Sequence, residues 1–265
     1  MLRFDPRDPV RHNRAAWNQQ AVAGSRWSNP VGSDVIARAR EGRPEIVLTP
    51  TRVVPDRWLG DLGGVRVLGL ASGGGQQMPV LAAAGADVVS LDLSEVQLAR
   101  DCGVAARDGL SLAAVHADMA QLPLRDGTFD LIVNPVSTCF ASDVRAVWHE
   151  CARVLRPGGR LITGFLNPAF FLFDADEADR NGRLVVANRL PYDERDLDRL
   201  PPGRRAEIEA GETIDFSHSL EDLIGGQTAA GFVIADLYED GWSPDAEQPL
   251  DAFMPSFVAT LAVKA

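Results

Sequence analysis

From residue 65 onward, short apolar runs alternate with amphipathic stretches at regular spacing. Val65–Ala71, Asp87–Leu93, Leu112–Ala117, Phe129–Asn134 and Arg160–Phe165 read as strands; Gln76–Ala84, the stretch from Ser94 to Arg107, and Val144–Leu155 read as helices. The punctuation agrees. Gly85 closes the first helix, and Ser94, with Glu95 in the first turn, opens the second. Asp126-Gly127 introduces the fourth strand, and Arg156-Pro157-Gly158-Gly159 stops the third helix. Such alternation predicts a parallel sheet covered on both faces. Ligands of such sheets lie beyond the carboxyl ends of the strands, where the strand order reverses.

Two regions break this rhythm. Residues 1–60 mix prolines with Trp17, Trp27 and Trp58, and predict an N-terminal helical arm with helices over Pro9–Gln20 and Ser33–Arg40. Between Asn167 and Phe216 come clustered charge, Pro191, Pro201 and Pro202, and the apolar patch Phe170-Phe171-Leu172-Phe173. This stretch, about 168–217, reads as an insertion in a core of residues 61–265, too short and polar to enclose a core of its own. A helix over Ser219–Thr228 follows. The strands Phe232–Tyr238 and Phe257–Val263 are then expected to pair antiparallel at the sheet edge.

Composition narrows the function. Hydrophobic residues make up 46% of the chain, enough for a sizeable core, yet no apolar run is long enough to span a membrane. Met1 to Val10 lacks the apolar centre of a secretion signal. Cys102, Cys139 and Cys151 are odd in number and lack C-x-x-C spacing, which points to a reducing cytoplasm and to no metal site or disulfide framework. A net charge of −11 disfavours a nucleic-acid partner.

The candidate chemistry sits at the first strand-to-helix turn. Ala71-Ser72-Gly73-Gly74-Gly75-Gln76-Gln77 lets the backbone approach a ligand closely, and Asp92 ends the next strand about 17 residues later. A glycine turn followed by such an acid can grip a nucleoside by its ribose diol. Ser94 is the better cap for the following helix, which leaves Asp92 for ribose hydroxyls. A nicotinamide fingerprint is not met, because the sixth position counted from Gly73 is Met78.

Together these motifs resemble the class I S-adenosylmethionine-dependent methyltransferases over roughly residues 60–265. The resemblance rests on the glycine loop, Asp92, Ala117-Asp118-Met119 after the third strand, Phe129-Asp130-Leu131-Ile132-Val133 as the fourth, and Arg153-Val154-Leu155-Arg156-Pro157-Gly158-Gly159 before the fifth. It implies a Rossmann-like, seven-stranded, mostly parallel α/β sheet with helices on both faces and a C-terminal antiparallel strand pair, and S-adenosyl-L-methionine as cofactor. It also implies cofactor contacts from Ala71 to Gln77, from Asp92 and Leu93, from Asp118 and Met119 along the adenine, and from Asn134 and Val136 near the methyl group. Two departures stand out. The acid usual in the first strand is replaced by Gly69, and the first loop glycine by Ala71; the loop version looks like a bacterial subgroup.

Trp17 and Trp27 are expected either to anchor the arm in the core or to fold over the cofactor as a lid, an aromatic face beside a sulfonium being favourable. Of His12, His116, His149 and His218, the last falls just after the insertion and is the expected catalytic base. Phe170, Phe171, Phe173 and Tyr192 are expected to line the substrate pocket. The reading is therefore a cytoplasmic methyltransferase, monomer or homodimer, acting on a small-molecule acceptor by in-line displacement. A non-catalytic binding protein and a nicotinamide-dependent oxidoreductase are the alternatives.

Overall fold

The computed structural model describes residues 7–265, so the first six residues of the expected arm lie outside the described residues. Seven strands form one sheet: β1 (Arg66–Leu70), β2 (Asp87–Asp92), β3 (Ala113–His116), β4 (Phe129–Asn134), β5 (Leu155–Leu166), β6 (Phe232–Asp240) and β7 (Phe257–Lys264). Their order is β3-β2-β1-β4-β5-β7-β6, with β1 to β5 parallel and β7 antiparallel to both β5 and β6. The chain leaves β1 toward β2 and returns to place β4 on the other side. The β1–β4 boundary is thus the topological switch point.

Helices cover both faces. On one side α2 (Ser33–Arg40), α3 (Asp56–Leu59) and α4 (Gln77–Ala83) enclose a core that includes Ile36, Trp58, Met78, Leu131 and Val133. On the other, α6 (Val144–Val154) and α9 (Gly226–Ala229) enclose a core that includes Leu68, Leu70, Ile132, Trp148 and Phe165. Neighbouring residues of β4 enter opposite cores, as a pleated strand requires. Helix α5 (Glu95–Asp108) is capped by Ser94, whose hydroxyl accepts from Gln97 N. No helix among the described residues is long and apolar enough to cross a membrane.

Three differences from the sequence reading have physical causes. β5 begins at Leu155, because Arg156–Gly159 is absorbed as a bulge between the Phe129–Leu155 and Leu131–Arg160 pairs, with Gly158 at a φ of +74°. The helix expected over Ser219–Thr228 is a π-turn, Glu221–Gly225, running into the short α9. The insertion does hold a core of its own. Besides α7 (Ala175–Asn181), it contains α8 (Pro202–Ala210), and Leu200, Ile208, Ile214 and Phe216 pack together with Tyr192 and Leu197.

The arm is bound firmly to the rest. Helix α1 (Pro9–Ala23) packs on α5, where Arg14 pairs with Glu95 at 3.0 Å. Buried Asn13 donates to Ile214 O at 2.9 Å and accepts from Ile214 N at 2.7 Å, stitching the arm to the end of the insertion.

Candidate active site

A cavity of about 440 Å³ opens over the carboxyl ends of the parallel strands, within the usual range for small-ligand sites. Ala71, Ser72 and Gly73 after β1, Asp92 and Leu93 at the end of β2, and Asp118 and Met119 after β3 line one part. Leu166 from β5, Phe170, Trp242 after β6 and Phe257 from β7 line the part on the opposite side of the switch point. Val136 and Phe140, from the loop following β4, lie between. The arm contributes Asn13, Trp17 and Trp27, and Val47–Pro50 also contributes.

The glycine loop is shaped by two carboxylates. Gly73 N donates to Asp92 Oδ2 at 3.0 Å, and Asp92 Oδ1 accepts from Ser94 N at 2.8 Å. Gly75 N donates to Asp101 Oδ1 at 2.7 Å, while Ser90 Oγ donates to Asp101 Oδ2 at 2.5 Å. Burial pushes the Asp92 carboxyl up to about 6 and that of Asp101 up to about 7, against the pull of these donors toward the charged form.

Gly69 is glycine for a steric reason. A Cβ there would overlap Met78 Sδ and Ser72 Oγ, which fill the space of a first-strand side chain. Ala71, in place of the first glycine, adopts a left-handed φ of 48°.

Not every glycine of the run faces the cavity. Gly73 does, but a Cβ on Gly74 would meet Trp27 O at 2.9 Å, and one on Gly75 would meet Pro30 Cβ at 2.9 Å. These two glycines make room for the arm, and Gly75 O accepts from Val31 N at 2.8 Å. Gln76 and Gln77 line the cavity while holding other segments: Gln76 Nε2 donates to Arg26 O and Asn29 O, and Gln77 Oε1 accepts from Val47 N.

Other expected site residues are placed elsewhere. Asn134 is buried off the cavity wall, where it donates to Leu70 O and Ser137 Oγ and accepts from Thr163 Oγ1, joining β1, β4 and β5. Among Phe170, Phe171 and Phe173, only Phe170 lines the cavity. Phe171 turns inward and stacks on Tyr192 at 5.9 Å, Phe173 bridges to Val186, and Tyr192 donates to Glu194 Oε1.

The placement of His218 corrects its expected role as base. It does not line the cavity, and its Nε2 lies 3.1 Å from Thr138 O and 3.0 Å from Ala141 O, so that nitrogen carries the proton and donates. Burial lowers its pKa despite those carbonyls. Its work is to hold the turn after β4.

Sequence reasoning missed Asp101, Gln97, Phe140, Asp215, Trp242 and Phe257. Only Asp101 carried a signal: it occupies the apolar stripe of α5 between Leu98 and Val104, where an acid needs partners.

The residues present suit a cationic nucleoside. Ser72 Oγ and Gln97 Oε1, both buried, have no hydrogen-bond partner and border the cavity beside Asp92. All four charged residues of the lining, Asp92, Asp118, Asp143 and Asp215, are acids, and no basic residue lines the cavity among the described residues.

The comparisons agree with this geometry. A methyltransferase domain profile matches residues 68–163. An uncharacterized methyltransferase of Bacillus subtilis, YbaJ, is 44% identical over 257 residues, covering 96% of this chain and 98% of that protein. A S-adenosylmethionine-dependent methyltransferase from Mesorhizobium loti shares the fold with a TM-score of 0.59 at 22% identity, over 78% of this chain and 94% of that one. A second structure is the 1,6-didemethyltoxoflavin-N1-methyltransferase of Burkholderia thailandensis with bound 1,6-didemethyltoxoflavin and S-adenosylhomocysteine. Its TM-score is 0.58 at 16% identity, over 98% of this chain and 91% of that one. The chain belongs to the class I S-adenosylmethionine-dependent methyltransferases, and its cofactor is S-adenosylmethionine.

Proposed function

We propose that this protein is a working methyltransferase whose acceptor is a small, flat, largely apolar molecule without negative charge. The observation that carries the reading is the cavity itself. It runs across the switch point from Asp92 and Asp118 to an aromatic wall of Phe170, Trp242 and Phe257, and its only charges among the described residues are acidic. Phosphate-rich or carboxylate acceptors would meet like charge there.

In this reading Asp92 takes the ribose hydroxyls. Each of its oxygens accepts one backbone N–H and retains a lone pair for a further donor. Asp118, whose Oδ1 accepts from Ala120 N at 2.9 Å, lies along the adenine with Met119, and Ser72 and Gln97 supply the unpaired polar atoms beside them. The bound cofactor supplies an electrophilic methyl group on a sulfonium, and transfer by in-line displacement needs alignment and exclusion of water above all. Trp17, set edge-on to Phe140 at 5.1 Å, and Trp27, beside Trp242 at 6.0 Å, supply the apolar cover. The arm thus serves as a lid, and the segment 168–217 as a wall of the acceptor pocket.

The absence of an acid in the first strand, where Gly69 stands, would weaken the cofactor loop if nothing replaced it. Asp101 and Asp92 supply the loop contacts by another route, which favours the catalytic reading. Titration calorimetry with S-adenosylhomocysteine, followed by a screen for S-adenosylhomocysteine release over small-molecule acceptors and bulk tRNA, tests it. Heat with the nucleoside and turnover on small molecules are expected. Turnover confined to RNA, or none with any acceptor, would overturn it.

A further inference from the structure

Building on the reading that an acceptor shares this cavity with the cofactor, we propose that Asp215 is the acceptor-side carboxylate. It binds an N–H group of the acceptor and takes its proton, so the acceptor is an amine or N–H heterocycle on a flat apolar body.

Asp215 lines the cavity at the far end of the insertion. Its position is fixed by the next residue, Phe216, whose N donates to Cys139 O at 2.7 Å. That contact pins the segment to the loop after β4, at the switch point. Asp215 N donates to Glu194 Oε2 at 2.7 Å, and its Oδ1 accepts from Thr213 Oγ1 at 2.9 Å.

The nearby cation is already committed. Arg204 lies 3.9 Å from Asp215 Oδ2, but its Nε and one terminal nitrogen bind both oxygens of buried Glu194 at 2.7 and 2.8 Å, and that nitrogen also donates to Thr213 O. Arg204 is thus engaged first by Glu194, and among the described residues Asp215 Oδ2 receives only the longer ion-pair contact and no hydrogen bond, which leaves it free to accept one from a ligand in the cavity.

The other acids of the lining have other places. Asp92 ends β2 and Asp118 follows β3, in the cofactor's part of the cavity, and Asp143 caps α6 by accepting from Ala146 N at 3.1 Å. Asp215 remains for the acceptor. Burial and the neighbouring Glu194 raise its proton affinity, which suits a group that must receive a proton. An alcohol could make the same hydrogen bond but not offset the charge. A protonated amine does both.

In the reaction the acceptor nitrogen gives its proton to Asp215 and uses the freed lone pair to bond the methyl carbon. The electron pair of the broken carbon–sulfur bond stays on sulfur, and Asp215 ends as a neutral acid that water reionises. The groups facing Asp215 are Glu194 and Tyr192 from the insertion, Arg204 from α8, Glu212 and Thr213 from its own segment, and Cys139 from the loop after β4.

The test uses the full-length protein saturated with S-adenosylhomocysteine and three matched probes: phenethylamine, phenethyl alcohol and 3-phenylpropionate, followed by ligand-observed NMR. The amine should bind more tightly than the alcohol, and the carboxylate should not bind. Lowering the pH from about 8 to about 6 should weaken the amine by protonating Asp215. Asp215→Asn should cost the amine about tenfold while leaving the alcohol and the nucleoside within about twofold. Wild-type protein alone decides the matter if the variant does not fold. An amine that fails to bind at millimolar concentration, or a carboxylate that binds equally well, overturns the proposal. So does an Asp215→Asn variant that loses S-adenosylhomocysteine rather than the amine. Absence of nucleoside binding in the wild type would instead refute the methyltransferase reading beneath it.

Discussion

Gly75 N donates to the buried carboxylate of Asp101 at 2.7 Å, so a side chain from α5 fixes the far end of the glycine loop from below. With Gly69 in the first strand, no side chain from β1 can perform that task. Removing Asp101 leaves a buried N–H without an acceptor, at a cost of about 1–3 kcal/mol. Asp101→Ala should therefore lower S-adenosylhomocysteine affinity roughly tenfold and reduce Tm. Calorimetry beside thermal unfolding checks this.

The same residue sets a pH dependence. The folded carboxyl titrates at about 7 against an ordinary 3.8, so between these values the folded chain holds a proton that the unfolded chain has released. Its contribution to stability therefore falls as pH rises through that window. Asp92, raised to about 6, acts in the same sense, whereas His218, lowered by burial, acts in the opposite one. Comparing Asp101→Asn with wild type isolates the one group. The variant's Tm should gain on wild type by a few degrees between about pH 5 and about pH 8. A difference that is flat with pH would contradict the assignment.

Restoring the family's acid should do harm. In Gly69→Asp the new side chain must displace Met78 and Ser72 from a closed core, and overpacking of this kind costs about 1–3 kcal/mol. A lower Tm and no gain in nucleoside affinity are expected by the same two measurements.

His218→Gln should leave the pH profile of turnover unchanged, because a side-chain amide can still donate to Thr138 O and Ala141 O. His218→Ala should lower Tm, since both carbonyls lose their donor. A titration that vanishes from the rate profile of His218→Gln would restore this residue as the base.

The strand-and-helix rhythm was legible because each element carries its own local cause. Phe129–Asn134 appears at its expected limits, Ser33–Arg40 likewise, and Ser94 caps α5 as its chemistry demands. The placing of Asp92, Asp118 and Met119 along the cavity was legible because they stand at or just after strand ends, and a parallel sheet sends all such ends to one side. The errors fall where the partner is distant in sequence. Nothing local shows that Gly74 and Gly75 yield space to residues 27–30, or that Asn134 is spent tying three strands together.

The order of apolar and polar residues alone therefore determined the alternating strands and helices of the α/β sheet, since periodicity and turn chemistry act over a few residues. Which side chains line the rest of the cavity was decided by tertiary structure. His218 and Asp215 are three residues apart, yet one points to the carbonyls of the β4 turn and the other into the cavity. The segment carrying them lacks a repeating pattern, and its direction comes from packing against Asn13, Cys139 and Glu194, each brought from a distant part of the chain.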